Sequence, residues 1–306
     1  MDSLIPVLAS GIAFGFLYAL MGTGLVLIYR GSKVINFAYG AGIGLLAYIT
    51  DTLLSVIASE ALAIAAAFVV AAIVGYAFRV LVVSAQYRPS SQVLRARGLF
   101  DEDTLLKIVV ATIGVSLIIE GAEPAIWGNQ TRRLPISLPA GNLRLGGIPI
   151  PWVDVTIIIV AGVAIALIGL LLGRTRTGFN VRALFSNPYA ANLFGMRVGR
   201  SFTVVWIIGT VAGLLAALMS SSVIFITPTS YITFAFTAFI AIVLGGLESL
   251  RGALLGGLIV GVGTALVDAY ISPQADELIL LAFTLVVLFF RPQGLLSSSQ
   301  ATVGRL

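Results

Sequence analysis

The sequence predicts an all-α fold, a polytopic membrane bundle of about eight or nine transmembrane segments with its N-terminus outside and its C-terminus inside. Three observations predict it. Of the 306 residues 59% are hydrophobic and only 10% charged, with a mean hydropathy of +1.07. A soluble domain needs roughly a quarter to a third of its surface charged, whereas a membrane solvates apolar faces and admits only helices or closed barrels. Apolar runs of near-spanning length recur along the whole chain. A polar break between two of them, RTRTGFNVRALFSNPYAANLFGMRVGR, residues 174–200, holds Arg174, Arg176, Arg182, Arg197 and Arg200 and no acidic residue, the composition of a loop retained on the cytoplasmic side.

In chain order the apolar runs are Ile5–Ile28, Val34–Thr50, Ala61–Ser84, Thr104–Ile119, Val155–Leu172, Phe202–Ile226, Ile232–Leu244, Ala253–Tyr270 and Leu278–Phe290. The first lacks the basic flank and small-residue cleavage site of a signal peptide and is expected to be a retained span. Ile232–Leu244 and Leu278–Phe290 are short for about 30 Å of hydrocarbon at about 1.5 Å per residue, so they are read as re-entrant or sheltered by neighbours. With residues 174–200 cytoplasmic, counting outward puts Arg30, Lys33, Arg88, Arg95, Arg97, Lys107, Arg251, Arg291 and Arg305 on that side. The other side receives Asp2, Asp51, Glu60, Asp276 and Glu277, with Arg132, Arg133 and Arg144 in one longer loop, Gly121–Trp152. That loop is rich in proline and glycine and alternates apolar residues near Leu143–Ile150, which predicts a short hairpin or cap over the outer face. The whole chain, residues 1–306, reads as one transmembrane domain carrying the 121–152 outer loop and the 174–200 cytoplasmic loop.

Several chemistries are excluded. There is no cysteine or histidine, so disulfides, thiol or imidazole ligands and histidine acid–base catalysis are absent. No phosphate-binding loop, nucleophile elbow or carboxylate group with metal-ligand spacing occurs, which argues against an enzyme and against a metal site. The net charge of +5 reads as topology, and no nucleic acid is implied. Charges near the spans have ordinary explanations. Arg79 lies a turn from an inner helix end and can snorkel, Asp268 reaches the outer interface, and Glu120 and Glu123 are expected to be solvated at an outer helix end.

Glycines spaced by four, Gly11/Gly15, Gly40/Gly44, Gly252/Gly256 and Gly257/Gly261, predict close helix packing. In INFAYGAGIG, Ile35–Gly44, polar Asn36 and Tyr39 stand at the start of an apolar span. A polar group in lipid finds either a partner helix or a water-filled cavity, so interhelical bonding and pathway lining are both open for Asn36, Phe37, Tyr39 and Gly40.

Four stretches resemble the membrane permeases of bacterial ABC importers for branched-chain amino acids, the LivH-type half of a LivH/LivM pair. They are YALMGTGLVLIYRGSKVINFAYGAG, Tyr18–Gly42; TGFNVRALFSNPYAANLFGMRV, Thr177–Val198; VLGGLESLRGALLGGLIVG, Val243–Gly261, with Gly245 and Gly246; and FRPQGLL, Phe290–Leu296. The chain departs from the family pattern at Tyr39, usually His, at Ala41, usually acidic, and at Glu248 and Arg251, usually Gly and Pro. The solute is therefore written as a class: branched-chain amino acids or a related small amino-acid-like, amide or carboxylate solute.

The resemblance implies a bacterial inner-membrane permease that forms the translocation path with a second, LivM-like permease. Two cytoplasmic ABC ATPase subunits would hold ATP and Mg, which this chain does not bind, and an extracytoplasmic solute-binding protein would deliver the solute. The 174–200 loop would be the coupling segment, with a helix from Val181 to Phe194 capped by Asn180 and ended by Gly195, or two turns split at Pro188. Phe179, Leu184, Phe185, Leu193 and Phe194 would be its apolar knobs and Arg182 and Arg197 its charged rim. The other reading of this helix is contact with membrane lipid. The alternative function is an ATP-independent secondary transporter or channel for a small polar solute.

Overall fold

The computed structural model describes residues 4–84, 102–145, 148–186 and 188–296. Asp2, Arg88, Arg95, Arg97 and Arg305 of the sequence-based topology lie outside the described residues. The chain folds as helices α1 (Leu4–Ser32), α2 (Ala38–Val56), α3 (Glu60–Phe78, continued by a π-helical turn over Arg79–Ser84) and α4 (Glu102–Trp127). A hairpin of β1 (Asn142–Leu145) and β2 (Ile148–Pro151) leads into α5 (Trp152–Arg174). Then follow α6 (Arg176–Ser186), α7 (Pro188–Leu193), α8 (Val198–Ser220), α9 (Ser230–Gly245), α10 (Leu250–Tyr270) and α11 (Asp276–Phe290). Among the described residues seven helices, α1–α5, α8 and α10, are long and apolar enough to cross a membrane. α9 and α11 contain the two shorter apolar helices, which correspond to the two short runs of the sequence.

Two boundaries differ from the hydropathy reading. α4 runs on to Trp127 with Pro124 inside it, so the connection to α5 starts at Gly128. Its hairpin pairs Leu143 with Ile150 in antiparallel register. α8 stops at Ser220; Ile226, beyond it, is apolar because it is buried and because its backbone pairs with Arg132 in both directions, at 3.1 and 2.8 Å.

α1 is the axis of the bundle, buried from its third turn onward and flanked by α10, α8, α5 and α9. α10 lies closest because glycines meet there. A Cβ at Gly257 would lie 2.6 Å from the Gly15 carbonyl oxygen, and one at Gly261 would lie 2.6 Å from that of Gly11. Gly256 packs on Ala241 of α9, and Gly245 and Gly252 face each other across the α9–α10 turn. Gly246 makes that turn in the left-handed region, φ 110°, open to glycine at no steric cost, and Ser249 caps α10 by accepting from the Gly252 N–H at 3.0 Å. The RPQGL ending has a structural reason: Leu295 and Leu296 donate their N–H groups to the Leu244 and Gly245 carbonyls at 2.9 and 3.0 Å, satisfying the last turn of α9.

Candidate functional site

α1 ends at Ser32, and the chain turns through Lys33, φ 56°, into the Asn36–Gly40 segment that opens α2. The Asn36 Oδ1 accepts from the Ala38 N–H at 3.1 Å, a short-range turn that leaves the side chain 5% exposed. Its Nδ2 meets no acceptor among the described residues. Asn36, Phe37, Tyr39 and Gly40 all line one cleft, closed on the other side by Ile232, Ala235, Phe236 and Phe239 of α9. Gly40 makes the cleft possible, since a Cβ there would lie 2.8 Å from the Ile232 Cα.

The four residues have different roles in the cleft wall. Tyr39 is bound between helices: its hydroxyl donates to the Gly209 carbonyl of α8 at 2.8 Å, and its oxygen fills notches left by Gly24 and Gly213. Phe37 is exposed, and its N–H reaches Thr112 Oγ1 of α4 at 3.4 Å. Sequence reasoning missed the α9 side. Thr229, Thr233 and Phe236 are exposed and Thr237 half-exposed, a hydroxyl stripe beside the cleft whose spacing of four was there to be read.

Glu123 is a correction. It is 0% exposed, with Oε1 placed 3.1 Å from where a Cβ on Gly44 would stand, and neither carboxyl oxygen has a hydrogen-bond partner among the described residues. α4 turns Ile108, Thr112, Ser116, Ile119 and Glu123 inward, one helical face, so the helix end that reads as solvated is covered. Around it Tyr48 stacks on Trp127 at 5.3 Å and Asp51 pairs with Arg132 at 2.9 Å. An unpaired charge buried at this depth costs several kcal/mol. The shape-conserving Glu123→Gln is therefore expected to keep or raise the melting temperature of the purified chain, and Glu123→Lys to abolish its recovery. Size-exclusion profiles of the two variants measure this, and a Gln variant that loses the monodisperse peak would show that the ionised form holds the fold. Asp268 is exposed near the C-terminal end of α10 but lines a second cavity with Tyr18, Thr264 and Asp276.

The 174–200 loop is broken at Pro188 into α6 and α7. Its first helix starts at Arg176, not after Asn180, because the Thr175 hydroxyl accepts from the Gly178 N–H at 3.0 Å and caps it. Leu184 is 1% exposed, and Val181, one turn before it on the same face of α6, packs with Leu27, Leu172 and Val205. Phe185 lies against this cluster under the Arg30 guanidinium, 4.6 Å from its ring centre. Arg182 donates to the Leu172 carbonyl and, at 2.8 Å, to that of Gly173, closing the end of α5. Leu184 is thus buried and Phe185 half-buried, so neither is an outward knob, while Arg182 stays exposed as it closes α5. Phe179, Leu193 and Phe194 do point out, the last two 68% and 82% exposed. Gly195, φ 73°, turns the chain toward Arg197 and α8.

A family model described as the permease component of branched-chain amino acid transport systems matches residues 7–288. The chain is 28% identical over 299 residues to the high-affinity branched-chain amino acid transport system permease protein BraD of Pseudomonas aeruginosa, covering 94% of each. It is 28% identical over 298 residues to the LivH permease protein of Salmonella typhimurium, covering 94% of this chain and 93% of that one. With the probable branched-chain amino acid transport permease protein LivH of Methanocaldococcus jannaschii it shares 27% over 277 residues, 87% of this chain and 82% of the other. No solved structure matches. A multi-pass helical bundle whose length is matched almost throughout by transport permeases is a transport subunit and not an enzyme, and the chain belongs to the family of branched-chain amino acid transport permease components.

Proposed function

We propose that the chain forms, with a LivM-like second permease, the translocation path of an ATP-driven importer for branched-chain amino acids or a related small amino-acid-like, amide or carboxylate solute. The observation that carries this reading is the cleft between α2 and α9, where the buried Asn36 amide with its unpartnered Nδ2 stands among apolar side chains. An amide donor at the wall of a largely apolar cleft suits a solute with a polar head and a branched hydrocarbon tail. The hydroxyl stripe of Thr229, Thr233 and Thr237 beside it is unsuited to lipid, so this face closes against the second permease.

ATP and Mg belong to two partner ATPase subunits that dock on the exposed Phe179, Leu193 and Phe194, and a solute-binding protein delivers at the opposite end. Charge supports the direction, N-terminus outside and C-terminus inside. Lys33 and Glu248 pair at 2.5 Å beside Arg30, so Arg30, Lys33 and the 174–200 arginines gather at one end, the basic end that stays in the cytoplasm. Glu248, a departure from the family pattern, is accounted for by that ion pair.

The test is ATP-driven uptake of labelled leucine into vesicles holding the full complex and its binding protein. Asn36→Leu, which fills a similar volume and removes the amide, is expected to cut uptake about 10-fold or more, the scale of one lost hydrogen bond to a polar ligand group. Complex assembly should be unchanged. Wild-type uptake by an assembled Asn36→Leu complex would remove the cleft from the pathway, and uptake without ATP would establish the secondary-transporter alternative.

A further inference from the structure

A third cavity, of about 400 Å³, lies at the basic end, where α6 and the turn after α7 meet the first turns of α8. Arg176, Arg197 and Arg200 line it together with Asn180 and Ser201. Among the described residues no ion pair neutralises them. From Trp152 to Ser220 the chain holds a single acidic residue, Asp154, in the first turn of α5 and so at the far end of that span. The two ion pairs among the described residues involve other cations, Lys33 and Arg132. The positive end of α8, a 23-residue helix whose N-cap residue makes no side-chain cap, opens at the same place.

Three guanidiniums without an ion pair among the described residues, hydrogen-bonding side chains and a helix N-terminus around one cavity suit a phosphate-like anion. The depth of the cavity decides the source. Arg176 lies two residues beyond the end of the α5 span and Arg200 in the first turn of the α8 span, while Val204, a turn deeper, forms part of the wall. The cavity thus straddles the level of the lipid headgroups, with an apolar flank on the hydrocarbon side. We propose that it binds the phosphodiester headgroup of an anionic phospholipid, one acyl chain running past Val204, and so anchors the joint between α6 and α8 to the membrane. This requires only that α5 and α8 span a membrane, and holds whether or not an ATPase docks on the outward knobs.

The test is native mass spectrometry of the full chain, with whatever partners co-purify, titrated with phosphatidylglycerol and with phosphatidylcholine. The wild type is expected to prefer phosphatidylglycerol about 10-fold or more, and the triple variant Arg176→Gln, Arg197→Gln, Arg200→Gln to fall within about 2-fold of no preference. A triple variant with equal charge loss elsewhere, Arg144→Gln, Arg174→Gln, Arg251→Gln, is expected to keep the wild-type preference. Equal retention in the wild type and the pocket variant overturns the proposal, and so does loss of preference in both triples, which would show bulk charge at work. Displacement of the lipid by about 10 mM inorganic phosphate would overturn it in favour of a free-anion site. If the triple variant does not fold, Arg176→Gln and Arg200→Gln are measured singly; each is expected to lower the preference about 3-fold, and no change in either overturns the site.

Discussion

Gly261→Leu is expected to remove the folded chain from the membrane fraction, while Gly263→Leu, two residues further along the same helix, is expected to leave it at the wild-type level. At Gly261 the atoms in the way are backbone: a Cβ would overlap the nitrogen and Cα of Gly15 and lie 2.6 Å from the Gly11 carbonyl oxygen. At Gly263 nothing lies within 4 Å. Ordinary overpacking costs about 1–3 kcal/mol because side chains yield. Here neither backbone can yield without parting α1 from α10 along their whole length, a cost comparable with the roughly 5–15 kcal/mol that holds a domain together. Both variants add the same apolar side chain to the same span, so hydropathy and insertion are matched. Fluorescence-detected size exclusion of tagged chains reads the result, and loss of both would show that this helix tolerates no added bulk and would withdraw the special role of the crossing.

The nine apolar runs were legible because a hydrocarbon crossing selects for composition, and composition needs no knowledge of neighbours. The ends were not. Ile224 and Ile226 extend an apolar run past the helix that owns it because the α8–α9 connection pairs with Arg132, a contact between segments almost a hundred residues apart. Glu123 failed for the same reason: a carboxylate near a helix end reads as solvated until Gly44, on another helix, is placed over it. Asn36 to Gly40 stood out as a polar interruption, yet their partner wall on α9 follows from pairing that no local pattern encodes. In the loop, Pro188 announced the break between α6 and α7. The inward face of α6 was also legible in the stripe Gly178, Val181, Leu184 and Phe185, spaced by three and four, but a list of apolar residues without that periodicity puts Leu184 and Phe179 on one surface when the helix puts them on two.

That distinction sets the last prediction. Leu193→Asp with Phe194→Asp is expected to abolish co-purification of ATPase subunits while the permease stays in the membrane at the wild-type level, and Leu184→Asp is expected to lower the amount of the permease itself. Leu193 and Phe194 are 68% and 82% exposed in a polar connection between two spans, where large apolar side chains have reason to stand only against a partner. An aromatic anchor in a groove typically carries 2 kcal/mol or more of binding, and two carboxylates forced into the same groove add the cost of their desolvation. The combined loss is expected to exceed about 100-fold in affinity, roughly 2.7 kcal/mol, enough to empty the complex during purification. Neither side chain contributes to the buried clusters of the bundle, so the fold has no stake in the pair. Leu184 is the reverse case. It is 1% exposed on the same face of α6 as Val181, which ties that helix to α1, α5 and α8, and an aspartate there buries a charge. Retained ATPase in the double variant would place the docking surface elsewhere on the basic end, and Phe179→Asp, on the opposite face of α6 from Leu184, would be the next substitution to separate a protein groove from a lipid surface.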